Sequence, residues 1–448
     1  MAQNFLSCNR EQSFLMPPSL EDWLPEDHLA WFVLDVVEQM DLSPFYARYR
    51  SDGWGAAAFE PKMMVALLLY AYCVGERSSR RIEQRCTEDI AFRVIAANRV
   101  PDHSTIARFR QSNEAALAHC FIEILKLCRA AGLGRVGLVA LDGTKVEANA
   151  SIAANHTVEA IEREVERMLV EAAQADAEED CLHGDARGDE LPADLRDRGG
   201  RLARLTQAKA RLEHEEAERE RAYQEHLARR AALETERGRP LRGRKPVLKR
   251  PRSPGTTRAN ITDPDSRVVK RGPTLIQGYN AQAVVTEDQI IVAAEVTQDA
   301  NDRRQLRPML ARADHNLVAA GARRRIGTLL ADAGYWSDRE IASLLEDPAA
   351  PKLLVATEDH PAHHRTRTSP SARLRGRMRR RLTSRPGRTL YAKRPQICEP
   401  VFGEIKWTRG ARRFMRRGLG ACDAEWKLLC ATNNLRKLWR AKRATANG

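Results

Sequence analysis

Residues 138–145 read Leu-Val-Ala-Leu-Asp-Gly-Thr-Lys. A short, unbroken apolar run bounded by a turn signal suits a strand buried on both faces, as inside an α/β sheet. Such a strand delivers Asp142 straight into an Asp-Gly turn. Two later stretches repeat the device. Thr328-Leu329-Leu330-Ala331 leads into Asp332, and Ile397-Cys398 leads into Glu399, with Pro400 marking a helix start. An acid at the end of an ordered element, three times over, fits a sheet with helices on its faces whose element ends converge.

The chain has 448 residues, enough for two or three domains, and a hydrophobic content of 43% supplies real cores. No apolar run reaches the roughly 18 residues that a membrane span needs. Met1-Ala2-Gln3-Asn4-Phe5 lacks the basic start and apolar centre of a signal peptide, so a cytoplasmic protein with no membrane partner is expected. The nine cysteines include no Cys-x-x-Cys pair and no zinc spacing, which predicts free, mostly buried thiols. A net charge of +14 favours a polyanionic partner.

Residues 1–132 read as an all-α domain. Leu29, Phe32, Val33, Val36, Val37 and Met40 recur at helical spacing. Pro61 opens an apolar helix that Gly75 ends. After a turn at Pro101-Asp102-His103, Ser104 is placed to cap a short basic helix holding Arg108 and Arg110. A last helix, Glu114 to Ala131, stops at Gly132. This succession resembles a helix-turn-helix DNA reader, with Arg108 and Arg110 toward phosphate or base edges. A plain helical bundle with a solvated arginine face accounts for it equally well.

Residues 133–440 read as an α/β domain interrupted by an insertion at 155–255. The insertion is rich in Glu, Arg, Ala and Leu, and the stretch from Gly184 to Gly200 breaks it into two helical parts. Leu202, Leu205, Leu212 and Leu233 are partly heptad-spaced, giving a coiled-coil arm for self-association or simply two solvated helices. Gly238 to Pro254 is a basic linker. Beyond it come a hairpin (Tyr279–Val285 and Ile290–Val296), a helix from Arg304 to Asn316, a strand ending at Asp332, a helix opened by Ser337, a strand from Lys352, and the helix of Glu399. A C-terminal amphipathic helix spans Asp423 to Trp439, and 441–448 form a basic tail. Without the insertion this is a mixed sheet flanked by helices, in the order of an RNase H-like fold.

Residues 362–395 carry twelve Lys or Arg and no acid. Such a run repels itself in solution, and a phosphate backbone relieves that by releasing counterions. The segment is expected to contact double-stranded DNA through Arg377, Arg379, Arg380 and Arg381, placing the protein with the nucleoid. Each acid alone has a structural explanation, since Asp-Gly turns and Asp caps are common. Together, Asp142, Asp332 and Glu399 offer three oxygen donors that suit Mg²⁺, with Mn²⁺ as the alternative. Two such ions would serve an in-line displacement at phosphorus. Glu399 and Lys406 lie seven residues apart and would share a helix face, while Glu404 would point elsewhere.

Several stretches resemble the bacterial insertion-sequence transposases of the DDE type, in the group with an InsH-like N-terminal domain. They are Leu141 to Ser151, Gln277-Gly278-Tyr279-Asn280-Ala281-Gln282, Asp332-Ala333-Gly334-Tyr335, Glu399-Pro400-Val401-Phe402-Gly403-Glu404-Ile405-Lys406, and Ala424 to Leu428 with Asn433-Asn434-Leu435. The resemblance implies Asp142, Asp332 and Glu399 as the metal-binding triad. It implies Tyr391, Arg394 and Lys406, with Lys145, as DNA contacts near the transposon end. Four residues separate Arg394 from Glu399, where the Tyr-Arg-Glu-Lys signature of that family has three. Tyr335 and Trp336 are candidates to stack on an unpaired base, with core packing as the alternative. The activity implied is cleavage at terminal inverted repeats followed by transfer of the 3′-hydroxyl to target DNA, by at least a homodimer. A nuclease without strand transfer and a non-enzymatic DNA-binding regulator are the alternatives.

Overall fold

The computed structural model describes residues 19–47, 49, 58–167, 170, 193–241, 258–357 and 370–446. The N-terminal region is helical: α1 (Leu29–Glu38), α2 (Ser43–Tyr46), α3 (Pro61–Cys73), α4 (Ser79–Glu88), α5 (Ile90–Ile95), α6 (His103–Ser112) and α7 (Glu114–Ala130). Local chemistry sets the ends. The Glu60 carboxylate accepts from Met63 N ahead of Pro61, and Asp89 accepts from Ala91 N and Phe92 N. At α6 the cap is Asp102, which accepts from Thr105 N at 2.9 Å, not the Ser104 expected from sequence. Aspartate two residues earlier satisfies the same orphan N–H groups, so the helix begins at His103. From Met64 to Cys73, α3 is buried on every side.

Strands β1 (Leu138–Glu147), β2 (Asn155–Thr157), β3 (Arg258–Asn260), β4 (Arg267–Arg271), β5 (Thr274–Thr286), β6 (Ile291–Thr297), β7 (Thr328–Ala331) and β8 (Lys352–Val355) follow. Among the described residues the main sheet runs β4-β5-β1-β7-β8, with β6 also on β5. β1 is antiparallel to β5 and parallel to β7, and β7 is parallel to β8. The register corrects one expectation. β1 does not end at Asp142: β5 pairs with it as far as Glu147↔Gly278, because β5 is thirteen residues long. On its other edge the parallel pairing stops at Leu141↔Ala331. Asp142 is therefore the first β1 residue past the end of β7, with no turn of its own. β3 and β4, and the first residues of β5, lie ahead of Tyr279, where sequence placed the return of order.

Gly278 is required by this register. A Cβ there would lie 2.3 Å from Val146 O on the neighbouring strand. Gly278→Ala is expected to force β1 and β5 apart and cost about 1–3 kcal/mol, read as a lower urea midpoint with unchanged slope.

The insertion holds α8 (Ala193–Arg237), which runs unbroken through Gly199 and Gly200 where a break was expected. Its base makes a small separate core, Ile161, Leu205, Ala208, Leu212 and Ala259, with the helical residues 158–167 and the β2–β3 ribbon. Past Leu212 the helix is mostly exposed. The basic linker falls almost wholly outside the described residues.

The remaining helices are α9 (Leu306–Ala319), α10 (Asp338–Glu346), α11 (Pro370–Thr383), α12 (Arg385–Tyr391), α13 (Arg394–Gly403) and α14 (Leu419–Ala446), with a π-helical turn at Glu404–Thr408. α14 lies across β6, α3 and α7. Its Trp426 is fully buried and donates from Nε1 to Gln282 O at 2.9 Å. One apolar core therefore runs from the N-terminal helices through α14 into the sheet. Every cysteine among the described residues is buried and free, and no helix among them is long and apolar enough to cross a membrane.

Candidate active site

The two strand acids converge. Asp142 Oδ1 accepts from Gly143 N at 2.9 Å and lies 3.0 Å from Arg394 Nη2. Asp332 caps the short turn Ala333–Tyr335, with Oδ1 accepting from Gly334 N at 2.9 Å, and its Oδ2 lies 3.3 Å from the same Arg394 nitrogen. One guanidinium nitrogen thus bridges carboxylates from neighbouring parallel strands. Burial pushes Asp142 up to about 6, opposed by Arg394 and reinforced by Asp332 and Asp302. Burial works against the charge on Arg394, but Asp142 and Asp332 more than offset it and raise its pKa.

Glu399 is not brought to this pair. It sits exposed on α13, and no contact among the described residues joins it to Asp142 or Asp332. The five-residue step from Arg394 turns it roughly 140° around the helix. Cys398, four residues on, keeps to the buried face instead, where burial raises its thiol pKa and Asp142 adds to the effect. Among the described residues no group of three His, Cys, Asp or Glu side chains is set to hold a metal ion.

Other expected contacts are redistributed. Lys406 Nζ donates to Thr144 Oγ1 at 2.8 Å and Lys145 O at 3.3 Å, so it rests on β1 two residues beyond Asp142. Lys145 Nζ is 3.4 Å from Asp302 Oδ1. Tyr391 donates to Ala331 O at 3.3 Å and holds the chain just ahead of Asp332. Glu404 pairs with Arg436 and Arg440 of α14 and points away, as expected.

Two base-stacking candidates and one DNA contact need correction. Tyr335 is fully buried, donating to Gln282 Oε1, and Trp336 is 6% exposed. The Trp336 Nε1 donates to Asp338 Oδ1 at 2.6 Å and the Arg375 guanidinium lies 4.8 Å from its ring. Neither ring has a face open to a base. Arg110 is buried and donates to Arg77 O at 2.7 Å, with Tyr72 and Ser79 as further partners. It braces the helical core. Arg108, on the opposite side of α6, stays exposed. On α11, Met378 is the buried anchor, Arg377, Arg379 and Arg380 are exposed, and Arg381 is partly buried.

Sequence reading missed Asp302, in the loop between β6 and α9. Its Oδ1 accepts from Asn280 Nδ2 and Gln282 Nε2, each at 2.7 Å. The signal was present in β5. Asn280 and Gln282 share one face of β5 where the residues around them, Tyr279, Ala281 and Ala283 to Val285, are buried and apolar or aromatic, and buried amides demand partners.

A model of a family described as Transposase domain (DUF772) matches residues 18–112, and one described as Transposase DDE domain matches residues 356–439. The second takes in Tyr391, Arg394, Glu399 and Lys406. No curated protein and no solved structure matches the chain. Transposase domains matched at both ends, with two strand acids meeting between them, support an insertion-sequence transposase of the DDE type.

Proposed function

We propose that this transposase binds the terminal inverted repeats of its own element, cleaves a strand there, and joins the freed 3′-hydroxyl to target DNA. The observation that carries the reading is the pair Asp142 and Asp332, held by one cationic nitrogen at adjacent strand positions. The strand order, three antiparallel strands followed by two added in parallel, supports an RNase H-like domain. The donor set fits a divalent cation. Two carboxylates already share a positive charge, and one of them is held above its usual range by burial, so a doubly charged ion, Mg²⁺ or Mn²⁺, would relieve both. When bound, that ion would supply Lewis-acid activation and stabilise charge developing on phosphate oxygens.

The chain's own residues supply the rest. Asp142 must lose its proton to serve as a ligand. Arg394, released from the carboxylates, is placed to take a DNA phosphate, and Lys406 holds a second beside Thr144. In cleavage a water oxygen bonds to phosphorus as the 3′-oxygen leaves. In joining, that 3′-oxygen bonds to a target phosphorus as the target's own bridging oxygen leaves. Glu399 completes the triad once α13 turns or shifts with DNA in place. Arg108 and the exposed arginines of α11 serve as further phosphate contacts, and two copies act together because two ends must be joined.

The test is labelled DNA bearing the ends that flank the gene, with Mg²⁺ or with EDTA. Metal-dependent cutting that disappears in Asp142→Ala, Asp332→Ala and Glu399→Ala, with end binding retained in all three, is the expected result. Binding without cutting by the unaltered protein, with both ends and either metal supplied, would leave a DNA-binding regulator.

A further inference from the structure

We infer that Trp407 is a platform on which one unpaired base of the bound DNA stacks, with Arg412 behind it. The inference rests on the transposase reading and deepens it by naming a base contact, since Tyr335 and Trp336 are buried. Trp407 is 65% exposed, whereas every other tryptophan among the described residues is buried or half-buried. The Arg412 guanidinium lies 3.4 Å from the centre of its ring. An indole covered on one face and still so exposed has its other face in solvent. A bare aromatic face backed by a cation fits a partner that is flat on its face and anionic at its edge, which describes a nucleotide.

The mount is rigid. Trp407 lies in the π-helical turn Glu404–Thr408, where Arg409 N donates to Glu404 O at 3.0 Å. Such turns are rare and recur at functional sites. Ile405, Arg409 and Ala411 are buried, and Arg409 donates to Thr432 Oγ1 at 2.8 Å and Leu429 O at 3.0 Å on α14. The segment is pinned from below, while Trp407, Thr408 and Arg412 stand out from it. A platform fixed in advance loses little freedom when a base arrives. Position and charge agree. Lys406, the preceding residue, rests on Thr144 of the strand that carries Asp142. Burial lowers the Lys406 pKa, and Arg271 and Arg412 lower it further, opposed by Glu147. Arg271 and Arg413 pair with that same Glu147 at 2.7 and 3.4 Å. Four cations thus gather about one carboxylate, an excess that suits the phosphates on either side of a stacked base.

The experiment measures binding of the full chain, in EDTA, to the labelled DNA end that flanks the gene, either fully paired or with the base pairs at its border mismatched. Trp407→Ala is expected to weaken the mismatched end by about tenfold, and the paired end by less, because there the cost of unpairing offsets part of the stacking. Trp407→Phe keeps a ring and is expected to stay within about threefold of the unaltered protein. Stacking releases no counterions, so the salt dependence of Trp407→Ala is expected to match that of the unaltered protein, while Arg412→Ala lowers the slope by about one. Mismatched-end binding by Trp407→Ala within about twofold of the unaltered protein overturns the proposal. So does a loss whose salt slope falls as in Arg412→Ala, which marks the ring as a support for the arginine. If the unaltered protein binds neither end, the transposase reading itself fails, and this inference with it.

Discussion

Asp142→Asn is expected to remove cleavage while making the metal-free protein more stable. The loss of rate follows from the proposed role. A carboxylate that would hold the cation stabilising charge on the phosphate oxygens supports several kcal/mol of that effect, so its removal costs roughly 10³-fold or more. The gain in stability follows from burial. The Asp142 carboxyl is pushed from 3.8 to about 6, so its ionised form is the disfavoured one in the folded chain. Between the two values the native state holds the proton more tightly than the unfolded state. Stability from this group is full below pH of about 4 and is lost as pH rises through about 6; at pH 7 the deficit approaches about 3 kcal/mol. Asparagine never ionises and escapes it. Arg394 loses one partner but keeps Asp332 at 3.3 Å, so the net gain at pH 7 is expected at about 1–3 kcal/mol. Urea titrations of both proteins between pH 4 and 7 should show the difference opening as pH rises. An Asn variant that is less stable at pH 7 would mean that the Arg394 pair outweighs burial.

The same carboxylate shows what was legible in sequence. An apolar run into Asp-Gly located the residue and its neighbourhood. It could not show that the strand continues, because that depends on β5 being long enough to pair as far as Glu147. The convergence of Asp142 with Asp332 followed from two buried apolar runs each leading into an acid. The setting of Glu399 did not, because it depends on how far α13 is rotated against β1. There the spacing held a warning, since one extra residue after Arg394 turns the acid about 100° from the face that the four-residue step would give. Arg110 carried a similar warning. Residues two apart on a helix point about 200° from each other, so Arg108 and Arg110 could not both face DNA. A basic run reports charge, and only packing shows that one of its arginines is a brace.

That brace belongs to a set whose disruption should bring the largest loss of stability. Glu425, fully enclosed on α14, lies 3.0 Å from Arg77 Nη1 and accepts from Met415 N and Arg416 N. Arg77, at the α3–α4 junction, also donates to Arg413 O at 2.8 Å and Gly410 O at 2.9 Å. Arg110 donates to Arg77 O, and Arg409 reaches Tyr72 O, Leu429 O and Thr432. The N-terminal helices, the 410–416 loop and α14 are therefore tied through buried charge. Burial raises the Glu425 pKa and Arg77 pulls it back, so the pair is not itself a large stabiliser. Breaking it is another matter. Glu425→Ala strands the Arg77 guanidinium without a counter-charge and leaves two backbone N–H groups without their acceptor, at a cost of about 3–5 kcal/mol. Against a typical total of about 5–15 kcal/mol this is about a fifth of the stability or more. Replacing both partners by apolar residues of similar size, Arg77→Met with Glu425→Leu, should recover much of the loss, although the two N–H groups remain unpaired. Urea unfolding of the single and double variants measures the coupling, and a Glu425→Ala cost below about 1 kcal/mol would show the pair to be solvated. Because the brace lies apart from Asp142 and Asp332, the cutting rate per folded molecule should be unchanged even as the midpoint falls.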